Sequence, residues 1–188
     1  MHPARIYNEL AHLWPVISPP QDYAAQADQL LSLLGDSQSI LELGCGAGHT
    51  LCHFDDPQLS LAGLDFSDAM IARSRELNPH VTHYVNDMRS ARLDQTFDAV
   101  IAHDALEYMV TQDDLNRALA TAWAHLKPGG LFIAAVSDTQ ETFVDHDRAA
   151  DSHQEDDLQI TNISYVRHHP SSVGIELVMV LLIRQEDQ

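Results

Sequence analysis

Lysine is all but missing from this sequence: Lys127 is the only one, and arginines supply the rest of the positive charge. Ten basic residues face 28 acidic ones, so the 188-residue chain carries a formal charge of −18. A surface this negative repels phosphate backbones and anionic lipid, which speaks against nucleic acid and membrane surfaces as partners. Long apolar runs are missing too. Nowhere do ~18 apolar residues follow one another, so no transmembrane helix is expected. The N-terminal stretch MHPARIYNELAHLW has no apolar h-region and does not read as a signal peptide. Cysteine is scarce. Cys45 and Cys52 form neither a CxxC pair nor a disulfide framework, and a reducing cytoplasm is the expected location.

What is present suits one domain with a real core, since 45% of the residues are hydrophobic. Ile6, Leu10 and Leu13 at helical spacing, then Tyr23, Ala27, Leu30, Leu31 and Leu34, make residues 1–36 a helical cap. Apolar runs at 39–43, 59–64, 81–85, 97–102 and 131–136 read as strands. Helices are expected between them at about 48–54, at 68–78 with Ser67 as N-cap, and after a capping-box-like start at Thr111 and Asp114. Leu115, Leu119, Ala122 and Leu126 would form the packing face of that last helix. Alternating helices and continuous apolar strands predict an α/β fold, Rossmann-like and doubly wound, with a mostly parallel sheet over 37–137. Residues 138–159 hold eight of the acids with one arginine and no period, which reads as a solvated acidic loop. A C-terminal antiparallel hairpin is expected over 160–185, turning at His169-Pro170-Ser171-Ser172.

The strongest local signal is Glu42-Leu43-Gly44-Cys45-Gly46-Ala47-Gly48, between a strand and a helix. Such a loop brings bare backbone close to a ligand. A dinucleotide loop would need a third glycine where His49 stands, and a P-loop would need a lysine. A phosphate-free adenosine ligand fits better. Asp65, at the end of the second strand, can accept hydrogen bonds from both hydroxyls of a ribose.

Four segments in order, ELGCGAG (42–48), GLDFSDAM (63–70), FDAVIAHDALEYM (97–109) and LKPGG (126–130), resemble class I S-adenosylmethionine-dependent methyltransferases. The narrower pattern is most similar to small-molecule N-methyltransferases of amino sugars and glycine-like amines. The resemblance implies S-adenosylmethionine as cofactor and S-adenosylhomocysteine as product. Gly44, Cys45, Gly46 and Gly48 would pass the methionine part, with Glu42 beneath. Asp65 would hold the ribose, Phe66 and Met70 would lie against adenine, and Asp87 with Met88 would meet the adenine edge. Tyr7 and Tyr23 would close over the cofactor, and His103 would sit under its sulfonium.

Methyl transfer from a sulfonium needs in-line positioning and exclusion of water, and a base only if the nucleophile must lose a proton. His103 is the candidate base and Asp104 a candidate to orient an amine. The chain has His-Asp-Ala-Leu where DNA-base methyltransferases carry an Asn/Asp-Pro-Pro-aromatic stretch, so DNA is a poor substrate. No metal is expected: Asp104 and Asp138 alone are a thin set for Mg²⁺. The hairpin either supplies the family's sixth and seventh strands or is an extra antiparallel insertion that leaves a sheet edge open. A cofactor-binding but inactive partner subunit is the alternative function, an NAD-binding dehydrogenase a second rival, and a homodimer is left open.

Overall fold

The computed structural model describes residues 5–139, 141–169 and 174–185. Residues 5–14 and 19–137 form one compact unit; residues 15–18 and the described residues from 138 onward form another.

The first unit is a five-stranded parallel sheet in the order β3-β2-β1-β4-β5. Its strands are β1 (Ser39–Leu43), β2 (Ser60–Asp65), β3 (Thr82–Val85), β4 (Phe97–His103) and β5 (Leu126–Ala135). Every residue of β1 is buried, as a central parallel strand covered on both faces requires. Ile40, Ala99 and Ile101 face one core with Ala27, Leu30 and Leu34 of helix α2 (Ala24–Leu34), the second helix in the chain after the one-turn α1 (Trp14–Ile17). Leu41, Leu43, Val100 and Ala102 face the other.

Helix α3 (Asp68–Leu77) starts where expected: the Ser67 hydroxyl accepts the Met70 N–H at 3.2 Å. Helix α4 (Gln112–Ala124) is capped by Thr111, which accepts the Asp114 N–H at 3.0 Å. Its buried line is Ala118, Thr121 and Ala122, while Leu119 is partly exposed and Trp123 is 80% exposed. The face expected around Leu119 is therefore rotated, and Leu126, expected on the same helix, opens β5 instead. The helix expected at 48–54 is only a short 3-10 turn, Leu51–His53.

At the N-terminal ends of the central strands, Asp98 gathers the ladder. One of its oxygens accepts the Ser39 N–H at 2.9 Å and the Ser39 hydroxyl at 2.7 Å. The other accepts the lone lysine, Lys127, at 2.8 Å.

The second unit corrects the reading of 138–159 as a loop. Within it, β6 (Arg148–Glu155) pairs antiparallel with β7 (Leu158–His168), which pairs with β8 (Ile175–Gln185). Nearly all of β6 is exposed, so no alternation of apolar and polar residues announces it. The hairpin was expected and its third strand was not. This sheet is separate from the parallel one, so the hairpin does not supply strands to it. From Pro170 to residue 172 the expected turn lies outside the described residues.

Buried His125 joins three segments. Its Nε2 accepts the Leu93 N–H at 2.7 Å, which leaves Nδ1–H to donate to the Thr121 carbonyl at 2.7 Å. Its own carbonyl accepts the Phe97 N–H at the start of β4. Replacing His125→Ala orphans a buried donor and a buried acceptor, each worth about 1–3 kcal/mol. Urea unfolding should then show a loss of about 3 kcal/mol with an unchanged m-value.

Candidate active site

The C-terminal ends of β1, β2 and β4 hold the glycine loop, Asp65, Phe66, His103 and Asp104, while Asp87 and Met88 follow β3 and Tyr7 and Tyr23 precede β1. Gly44, Gly46 and Gly48 all have positive φ, at 76°, 52° and 76°. A Cβ on Gly44 would lie 2.5 Å from the Ala105 Cβ, and one on Gly48 would lie 2.2 Å from the Ser74 hydroxyl. Both positions therefore need glycine for conformation and for space. The loop is pinned from below: the Gly44 and Cys45 N–H groups both donate to the Leu64 carbonyl, at 2.7 and 3.0 Å. The Gly48 carbonyl accepts from the Asn78 amide at 2.9 Å.

Asp65 ties this loop to α3. One oxygen accepts the Gly46 N–H at 3.0 Å and the other accepts the Ser67 N–H at 2.8 Å. The Phe66 N–H also supports this carboxylate, which still has acceptor capacity to spare. Burial raises its pKa, against the pull of those N–H donors.

Cys45 points its sulfur toward Gly63, where an added Cβ would sit 2.8 Å away. Burial pushes its thiol well above the usual range. Met70 is buried beneath the loop with Ala11 and Ala47, against Tyr7 and Trp14. Phe66 is 56% exposed. Met88 packs within 3.0 Å of the Cβ position on Gly44. Asp87 holds Arg89 through both oxygens, and Arg89 reaches on to Asp114 at 2.9 Å. That guanidinium keeps the Asp87 carboxyl below its usual range.

Two aromatic contacts close the region. The Tyr7 and Tyr108 hydroxyls meet at 2.5 Å, and the Ser67 hydroxyl donates to the Tyr7 carbonyl. Burial, Tyr108 and the nearby carboxylates raise the Tyr7 pKa. Tyr23 stands edge-on to the rings of His49 and His103, at 5.4 and 6.1 Å between centroids.

His103 ends β4 almost fully buried. Its Nδ1 lies 3.2 Å from the Thr50 hydroxyl, and its Nε2 lies 3.5 Å from an Asp104 oxygen. Thr50 was not legible as a site residue, because only the fold brings it to His103. The Thr50 hydroxyl also stands close enough to the Glu42 carboxyl to pull its pKa down, against the effect of burial. Glu42, Thr50, His103 and Asp104 thus follow one another from the buried end of β1 out to Asp104, whose side chain is 43% exposed. Asp104 has φ 49°, an uncommon value outside glycine, and is held by the Ala135 carbonyl and the Ser137 hydroxyl. Ser137 in turn donates its N–H to Glu107.

Comparison with known proteins gives this arrangement its relatives. A family model described as a methyltransferase domain matches residues 40–130. The dTDP-3-amino-3,4,6-trideoxy-alpha-D-glucopyranose N,N-dimethyltransferase of Streptomyces venezuelae is 32% identical over 84% of this chain and 68% of its own length. The chain belongs to the class I S-adenosylmethionine-dependent methyltransferases. A second relative, the dTDP-4-amino-2,3,4,6-tetradeoxy-D-glucose N,N-dimethyltransferase of Saccharopolyspora spinosa, is 34% identical over 60% of this chain and 47% of its own. Among solved structures, DesVI of Streptomyces venezuelae superposes with a TM-score of 0.79 at 25% identity, covering 94% of this chain and 83% of that one. The S-adenosylmethionine-bound amino pentose methyltransferase of Micromonospora echinaspora gives 0.71 at 26%, covering 94% and 80%.

S-adenosylmethionine is the cofactor of this methyltransferase. Two features of the site fit it. The glycine loop is a cradle that side chains would fill. The Glu42 Oε2 atom is buried with no hydrogen-bond partner, a polar group awaiting a donor.

Burial pushes the Glu42 carboxyl from 4.5 up to about 8. Between those values the folded chain holds a proton that the unfolded chain has lost, so stability falls as pH rises. The change should amount to a few kcal/mol between pH 5 and 8. Urea unfolding of Glu42→Gln should lack that slope and be the more stable protein at pH 8. A separate variant, Gly44→Ala, should lose detectable cofactor binding in calorimetry, since its Cβ meets Ala105.

Proposed function

We propose that this methyltransferase acts on the amino nitrogen of a small molecule, an amino sugar being the substrate class that fits best. The observation that carries this reading is the similarity to a sugar N,N-dimethyltransferase over 84% of the chain. The acids beside His103, namely Asp104 and Glu107, support it, because they favour a positively charged acceptor. The net charge of −18 argues against nucleic acid. No described helix is long and apolar enough to cross a membrane. Two free cysteines suit a cytoplasmic location.

Bound S-adenosylmethionine supplies an activated methyl group on a positively charged sulfur. The chain has to hold the partners in line, exclude water and manage one proton. Gly44, Gly46, Gly48 and Asp65 hold the cofactor in this reading, with Glu42 beneath and Phe66, Met70, Asp87 and Met88 along the adenosine. Tyr7 and Tyr23 close the site against water. Asp104 orients the amine.

His103 receives the proton, and Thr50 decides which ring nitrogen is free. A charged Glu42 draws the Thr50 hydroxyl toward itself, so that Nδ1–H donates to Thr50 and Nε2 presents its lone pair. A protonated Glu42 reverses the chain, and Nε2–H then faces Asp104. The base therefore becomes competent as pH rises.

Purified chain with S-adenosylmethionine and a panel of amino sugars and other amines should release S-adenosylhomocysteine and an N-methylated product. Cofactor binding without turnover on any amine would overturn the reading. His103→Ala should lower kcat by about 10²-fold or more, the scale of general-base catalysis. Thr50→Val should flatten the rise of kcat/KM with pH while the calorimetric affinity for cofactor stays unchanged. Thr50→Ser, which keeps the hydroxyl, should restore the profile.

A further inference from the structure

Asp87 is held far more firmly than an ordinary loop acid. Three N–H groups of Arg89 converge on its carboxylate. The backbone N–H donates to Oδ1 at 2.8 Å and Nη2–H to Oδ2 at 2.6 Å, while Nε–H lies between the two oxygens, at 3.0 Å from Oδ1 and 3.1 Å from Oδ2. The guanidinium is gripped at its other end as well. Its Nη1 donates to Asp114 Oδ1 at 2.9 Å. Asp114 is fixed in the first turn of α4 by Thr111, whose hydroxyl donates to Asp114 Oδ2 and accepts the Asp114 N–H, both at 3.0 Å. A lone surface ion pair leaves a long side chain loose. This one is a planar fork tied at both ends, and the Arg89 and Asp87 side chains are only 33% and 34% exposed.

Counting acceptor sites gives this network a use. An ionised carboxylate offers about four. The three N–H groups of Arg89 occupy three of them. Nε stands marginally nearer Oδ1, so the open site falls on Oδ2. Arg89 also keeps the carboxyl ionised by holding its pKa down. The open site therefore accepts an N–H and repels a carbonyl oxygen. We propose that Arg89 and Asp114 set the base specificity of the cofactor site: by orienting Asp87, they let it take a purine with an amino group at C6 and turn away one with an oxo group there. Both are positioning residues, since each acts through Asp87, and the proposal rests on the placement of Asp87 along the adenosine. Arg117 of α4 acts on the same two carboxylates through its charge, which makes it the natural control.

The test is calorimetric titration of the whole chain with S-adenosylhomocysteine and with S-inosylhomocysteine, which carry the amino and the oxo group at that position. The chain should prefer the amino form by about tenfold or more, a modest ratio for a hydrogen-bonding site because the carboxylate is partly exposed. Asp87→Ala should abolish the preference. Arg89→Met, which keeps the side-chain stem and removes the fork, should cut the ratio by about threefold or more, the scale of a partly exposed ion pair. Asp114→Ala should move it in the same direction. Added to Asp87→Ala, Arg89→Met should change the ratio no further, because it acts through that carboxylate. Arg117→Met removes an equal charge and no fork, and should leave the ratio in place. Circular dichroism melts show whether each variant folds; a merely loosened fold weakens both ligands alike and does not move the ratio. A native chain without preference, or an unchanged ratio in Asp87→Ala, overturns the placement of Asp87 and this proposal with it. A ratio lost in Asp87→Ala yet kept in Arg89→Met and Asp114→Ala, or one that falls as far in Arg117→Met as in Arg89→Met, overturns the proposal and leaves the placement standing.

Discussion

Asp65 is the fastening at the site end of the parallel sheet. It stands at the end of β2, yet its two oxygens reach in two directions, to the Gly46 N–H in the glycine loop and to the Ser67 N–H at the start of α3. The loop after β1 and the helix after β2 therefore cannot move independently. The loop can take its course only because Gly44, Gly46 and Gly48 accept positive φ. The helix can start there only because Ser67 caps it, and the Ser67 hydroxyl also ties down the N-terminal segment through Tyr7. One carboxylate thus sets the backbone of the glycine loop and, through Ser67, the place of Tyr7. It keeps lone pairs for a ligand while doing so.

The features that sequence made legible are local ones. Strand β1 runs directly into its glycines. Ser67 lies two residues past Asp65. Thr111 caps α4 three residues before its bonding partner. Each depends on neighbours within a few positions, where spacing carries the geometry. The features that escaped are pairings across the fold. Thr50 meets His103 over 53 residues and Lys127 meets Asp98 over 29. Thr50 sits in a stretch that looked helical and is mostly turn. Strand β6 escaped for another reason: a solvated edge strand has no buried face, so it leaves no apolar alternation to read. The same exposure that hid β6 protects it from wrong pairing, and β8, whose hydrophobicity made it easy to find, has no such protection.

The two ends of the parallel sheet divide the labour. At the N-terminal ends of the strands polar groups are paired: Asp98 collects Ser39, Gln38 and Lys127, and its carboxyl is held well below the usual range by the lysine and the Ser39 hydroxyl. At the C-terminal ends they are left under tension. Glu42 is buried with an oxygen unpartnered, Asp104 takes a backbone conformation that costs energy, and two tyrosine hydroxyls crowd against each other near acids. A chain selected only for stability would replace Glu42 with a hydrophobe and Asp104 with glycine. Its retention of both, at the end where open α/β sheets bind their ligands, is what a site looks like when local rules are broken for chemistry. The strain is also asymmetric in what would relieve it. A donor at Glu42 would satisfy the orphan oxygen and lower that carboxyl's pKa. Ligand binding and the charge of Glu42 would therefore be coupled at one carboxyl.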